Sequence, residues 1–174
     1  MRIISGIVDR SFLVVGVIAG GTIPSFVAQY RQRIGGALDQ GLRDLAPFQE
    51  IANQRYNGSM QALVQHHLNS TDVTFHSEGA AIAAMIESVQ RLREAAQALN
   101  ADLLHQLIYL VRAADLTMLS ATWDIFKPSF GLSVDSLVLA GFVGVSLWLT
   151  FIALWWAIAN GVRKISARNS RQYY

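Results

Sequence analysis

The chain has 174 residues, 52 % of them hydrophobic and only 15 % charged, against roughly 25 % charged in an average soluble domain. Cysteine is absent, which excludes disulfides, thiolate metal sites and cysteine nucleophiles. The net charge of +2 is unevenly spread: residues 1–30 carry +1, residues 31–132 carry eight basic and ten acidic side chains, and residues 133–174 carry +3. A nucleic-acid binder concentrates basic residues on its folded body, so no nucleic-acid partner is expected here.

After MRIISGIVDR the chain runs uncharged for 20 residues, from Ser11 to Tyr30. This is a membrane-span candidate, with Arg2 and Arg10 on its N-terminal side. Gly20, Gly21 and Pro24 predict that a straight helix ends or kinks near the Gly-Thr-Ile-Pro turn. A cleavable signal peptide has the same basic start and apolar stretch, but the Gly/Pro-rich end offers no clean A-x-A site. An uncleaved membrane helix is therefore expected.

Residues 31–132 read as helices throughout, rich in Ala, Leu, Gln, Glu and Arg, with Pro47 and Pro128 as the two prolines. Apolar residues at 34, 38, 42, 45, 48 and 51–52 trace a helical face. Asn57-Gly58-Ser59 interrupts it, with Ser59 as the cap of a short helix to about His67, and Asn69-Ser70-Thr71-Asp72 breaks the chain again. Over Ser77–Leu99, Ile82, Met85, Ile86, Val89, Leu92, Ala96 and Leu99 fall at spacings of three and four, close to a coiled-coil seam. Asn100 ends that helix and Asp102 suits the start of the next. The last helix carries Leu104, Leu107, Ile108, Val111, Ala114 and Met118 and stops before Pro128, so the two long helices are expected to form an antiparallel hairpin. Trp123, Phe126 and Phe130 mark a return to the membrane interface.

Ser136 to Val162 is the strongest feature of the chain, 27 uncharged residues between Asp135 and Arg163-Lys164. At 1.5 Å per residue such a helix extends about 40 Å, against a hydrocarbon core of roughly 30 Å. Its Leu, Val, Phe, Ile and Trp residues point in all directions, without the polar face of a soluble core helix. Trp155 and Trp156, then Arg163 and Lys164, suit an aromatic and basic membrane interface. Arg163, Lys164, Arg168 and Arg171 place the C-terminus in the cytoplasm, and two spans return the N-terminus to the same side. Arg31 and Arg33 run against this orientation, but long translocated segments largely escape the rule.

The expected architecture is all-α: a span over 1–30, an extramembrane and periplasmic helical domain over 31–132, a second span over 133–162, and a basic cytoplasmic tail over 163–174. Small residues suit close helix contact in lipid at Gly16, Gly20, Ala140, Gly144, Ala153 and Ala157. The second span has no ionisable residue, which argues against ion or proton transport by the spans alone. His66, His67, His76 and His105 lack the spacing of a metal site, so no metal or cofactor is expected. Asp115 shares a face with Val111 and Met118 and reads as a buried polar contact with Arg112 rather than a catalytic acid. No nucleophile elbow, P-loop or paired-carboxylate pattern occurs, so an enzyme is not expected.

The segments FVAQYRQRIGG (Phe26 to Gly36), Phe48-Gln49, Thr74-Phe75 and Glu78-Gly79 resemble a family of small bacterial inner-membrane proteins catalogued as a domain of unknown function. The resemblance covers most of the chain and implies a bacterial envelope setting, without an activity or functional residues. The expected function is a non-catalytic structural, assembly or accessory subunit, with membrane lipid and either further copies or a larger complex as partners. A homo-oligomeric channel or transport component is the alternative.

Overall fold

The computed structural model describes the backbone of residues 2–169 and the side chains of residues 10–157. The described residues form six α-helices and no strand: α1 (Arg2–Arg55), α2 (Met60–Leu68), α3 (Val73–Ala98), α4 (Leu103–Ala113), α5 (Leu116–Trp123) and α6 (Val134–Asn169). They divide into two compact units, residues 1–26 with 127–174, and residues 27–126. Two helices, α1 and α6, are long and apolar enough to cross a membrane.

Of the two outcomes expected at the Gly-Thr-Ile-Pro turn, an end or a kink, the end does not occur: α1 continues as one helix to Arg55. Proline lacks the donor for the carbonyl four residues back and crowds it. Here that residue is Gly20, and Gly20 and Gly21 present no side chains to the ring. Hydroxyl donors supply extra backbone bonds around the turn, from Thr22 to the Ala19 carbonyl (2.9 Å) and from Ser25 to the Thr22 carbonyl (3.0 Å). The Gly131 amide adds a bond to the Gly21 carbonyl (3.4 Å). These bonds brace the carbonyls on either side of Gly20, and the two from hydroxyls are the kind of local backbone bond that Ser and Thr make inside helices. The expected boundary at residue 30 consequently falls inside a helix rather than at its end.

In the 27–126 unit, the chain stops where short polar residues take over backbone groups. Asn57 and Gly58 adopt left-handed conformations (φ 51° and 82°), which ends α1. Ser59 then accepts a bond from the Ala62 amide and starts α2. Asp72 accepts from the Thr74 and Phe75 amides, so α3 begins at Val73, four residues ahead of the expected Ser77. Asp102 caps α4 through the His105 amide, and Gln106 closes the turn behind it with bonds to the Leu99 and Ala101 carbonyls.

The expected hairpin of two long helices is broken at Ala114-Asp115. Asp115 is the N-cap of α5 and accepts from the Met118 amide at 2.9 Å; it is not the seam partner of Arg112. A carboxylate that bonds the backbone two or three residues on offers the chain an alternative to continuing the helix. The break also frees α4 to turn its own face inward. Tyr109, Leu110 and Ala114 pack on the core, while Leu104 and Val111, expected inside, are 65 % and 87 % exposed. α3 packs extensively along α2 and more sparingly with α4.

The core of this unit is Tyr30, Ile34, Ala95 and Leu99, flanked by Leu92, Ala96, Met118 and Leu119. On α1 the inward face follows Ile34, Leu38, Gly41, Leu45, Phe48 and Ala52, whereas Leu42 and Ile51, assigned to it by the sequence pattern, are exposed. Gly41 takes their place because a Val89 methyl lies 2.7 Å from where its Cβ would stand.

Candidate functional site

The 1–26/127–174 unit is organised by small residues meeting small residues. A Cβ on Gly16 would lie 2.7 Å from the Gly144 Cα, and one on Gly20 would lie 2.8 Å from the Leu139 carbonyl oxygen and 2.9 Å from the Ala140 Cα. A Cβ on Gly144 would lie 2.6 Å from a Val17 methyl and 3.2 Å from the Val17 nitrogen. Backbone therefore rests on backbone over two helical turns, the contact that small residues permit between apolar helices. Phe12 and Phe151 stack above it with ring centroids 4.5 Å apart. At the other end, the Phe130 ring occupies the space a side chain on Gly21 would need.

Of the six small residues named from the sequence, Gly16, Gly20, Ala140 and Gly144 come together here. Ala153 and Ala157 do not; both are exposed. Gly141, between the contacting positions, faces open space. Among the aromatic residues assigned to an interface, Trp123 is 67 % exposed and stacks on Phe126, Trp155 stacks on Phe151, and Trp156 is exposed. The side chains of Arg163 and Lys164 lie outside the described residues, although both positions belong to α6.

The 27–126 unit holds a cleft of about 560 Å³ between α1, α3, α4 and α5. Ile34, Leu92, Ala95 and Met118 form its apolar floor, and Ser88, Arg91, Glu94, Tyr109 and Asp115 stand around it. Two residues of α1 hold α5 against this cleft. The hydroxyl of Tyr30, which is 0 % exposed, accepts from the Asp115 amide at 3.2 Å, and Arg33 donates to the Ala121 carbonyl at 2.8 Å. One α1 side chain thus meets the first residue of the α5 turn and another meets its last turn. Sequence reasoning gave neither Tyr30 nor Arg33 a packing role, although both lie in the FVAQYRQRIGG segment that carries the family resemblance. Burial pushes the Tyr109 hydroxyl above its ordinary value, and the nearby Asp115 carboxylate adds to the rise.

His67 and His105 serve the fold. His67 bonds the Leu63 carbonyl, stacks on Phe75 at 5.3 Å and lies 3.8 Å from the Glu78 carboxylate; Gly79 is small because His67 packs against it. Among the described residues no group of three His, Cys, Asp or Glu side chains is arranged to hold a metal ion. His105 pairs with Asp102, and the His105 amide, followed by its ring, holds the Asp102 carboxyl below its ordinary value. A depressed carboxyl contributes stability that is fully present above its unfolded value of about 3.9 and is lost as pH falls through the folded value. On acid titration the α4 amides should therefore gain hydrogen exchange below that window, and Asp102→Asn, which keeps a cap but cannot titrate, should flatten the response.

The architecture defines a class: an all-helical protein with two helices of membrane-crossing length and a separate helical unit. The chain belongs to the family described as "Protein of unknown function (DUF2937)", whose model matches residues 4–164. No curated protein and no solved structure matches it.

Proposed function

We propose that the chain is a non-catalytic, two-span protein of the bacterial inner membrane that serves as a structural, assembly or accessory subunit. The observation that carries this reading is the outer surface of the apolar helices. Val14, Val15, Ile18, Val138, Phe142 and Leu149 are all exposed, together with most of their neighbours. A contiguous apolar surface of this kind is unfavourable in water and neutral in lipid. The basic C-terminal residues support cytoplasmic termini and a periplasmic helical domain over 31–132.

The small faces of α1 and α6 are occupied by one another. Partner contact in this reading therefore uses the 27–126 unit or the opposite faces of the spans. The test is native mass spectrometry of the protein extracted gently from its own membrane. A stoichiometric foreign subunit supports the accessory role, and a monodisperse 19.1 kDa monomer without partner overturns it. A multiple of the chain mass favours a self-assembled ring or channel. Recovery of the protein in the soluble fraction overturns the membrane setting itself.

A further inference from the structure

We propose that the cleft between α1, α3, α4 and α5 binds an organic cation with a compact apolar body. Its volume, about 560 Å³, lies within the range of small-molecule sites, which pair an apolar lining with a few placed polar groups. The floor of Ile34, Leu92, Ala95 and Met118 suits an apolar body.

The polar rim selects the sign of the charge. Arg91 is the cation among the lining residues, and it is already paired with Glu87 one turn away on α3. Glu94 makes no ion pair among the described residues. Asp115 uses Oδ1 to cap α5, which leaves Oδ2 without a hydrogen bond among the described residues. The Tyr109 hydroxyl likewise has no hydrogen-bond partner among them. An anion entering the cleft would meet two carboxylates and a guanidinium already paired; a cation would meet two attractive charges and a tyrosine ring. Tyr30, which also lines the cleft, is a positioning residue, since its bond to the Asp115 amide fixes where that carboxylate stands. None of this geometry depends on whether α1 and α6 cross a bilayer.

The test is calorimetric titration of the full chain, held in phosphatidylcholine nanodiscs, with phenethylamine. The neutral 2-phenylethanol and the anionic phenylacetate serve as comparators, and the heat of empty nanodiscs is subtracted. Phenethylamine should bind saturably, one per chain, and about tenfold or more tighter than the alcohol. Glu94→Gln, on an exposed position, should weaken it about tenfold with no change in thermal midpoint. Ala113→Trp, which fills the cleft without changing charge, should abolish binding; the Gln variant keeps the test decisive if the Trp variant fails to fold. Absence of saturable amine binding, equal binding of phenylacetate, or unaltered affinity in Glu94→Gln would overturn the proposal.

Discussion

Replacing Gly144 by leucine should separate α1 from α6, lowering stability by about 3 kcal/mol, the upper end of what overpacking costs. The reason lies in what the new side chain meets. A Cβ at position 144 stands 2.6 Å from a Val17 methyl and 3.2 Å from the Val17 backbone nitrogen, and on the reciprocal side Gly16 faces the Gly144 Cα. A flexible side chain can rotate away from a clash; helix backbone can only shift, and close-packed neighbours shift with it. Gly141→Leu is the matched control, because nothing lies within 4 Å of its Cβ position. That variant should stay within about 0.5 kcal/mol of the parent. Denaturation of both variants in nanodiscs, followed by far-ultraviolet circular dichroism, makes the comparison. Equal loss in the two would mean that the small-residue contact does not hold the helices together.

Tyr30→Ala should cost about 3–5 kcal/mol, the range for deleting a large aromatic side chain from a core. Tyr30 is fully buried, packs with Ile34, Ala95 and Leu99, and accepts the amide bond of Asp115. Tyr30→Phe separates the two contributions. It keeps the ring and removes the acceptor, leaving the Asp115 amide unpaired for about 1–2 kcal/mol. Hydrogen exchange at the Asp115 and Leu116 amides should accelerate in the Phe variant while α2 and α3 remain protected. A Phe variant with parental exchange at Asp115 would show that the ring alone positions α5.

The two effects differ in how far the chain announces them. The Gly16-x-x-x-Gly20 spacing and its counterpart at Ala140 and Gly144 are local patterns, and their meaning in an apolar helix is general. Tyr30 carries no such mark. It closes an uncharged run, and its importance arises from a contact with a residue 85 positions away. The helix caps fall between these cases: Ser59 and Asp102 stand directly before helices and were legible. Asp115 interrupts what reads as one amphipathic helix, and only the packing of Tyr109, Leu110 and Ala114 shows why the chain turns there.

The sequence by itself determined the all-helical class, the two long apolar segments, most helix boundaries in the 27–126 unit, and the family. Each follows from information local to a few turns: hydrophobic run length, periodicity, capping chemistry and short motifs. Only the tertiary structure decided which small residues meet, why α1 passes through Pro24, which face of α4 turns inward, and that Tyr30, Glu94, Tyr109 and Asp115 gather around one cleft. Those outcomes depend on contacts between residues far apart in the chain, where Gly41 outcompetes Leu42 for an inward position because of what Val89 presents to it. Periodicity sees the apolar residues of one helix; it does not see the shape of the neighbour they must fit.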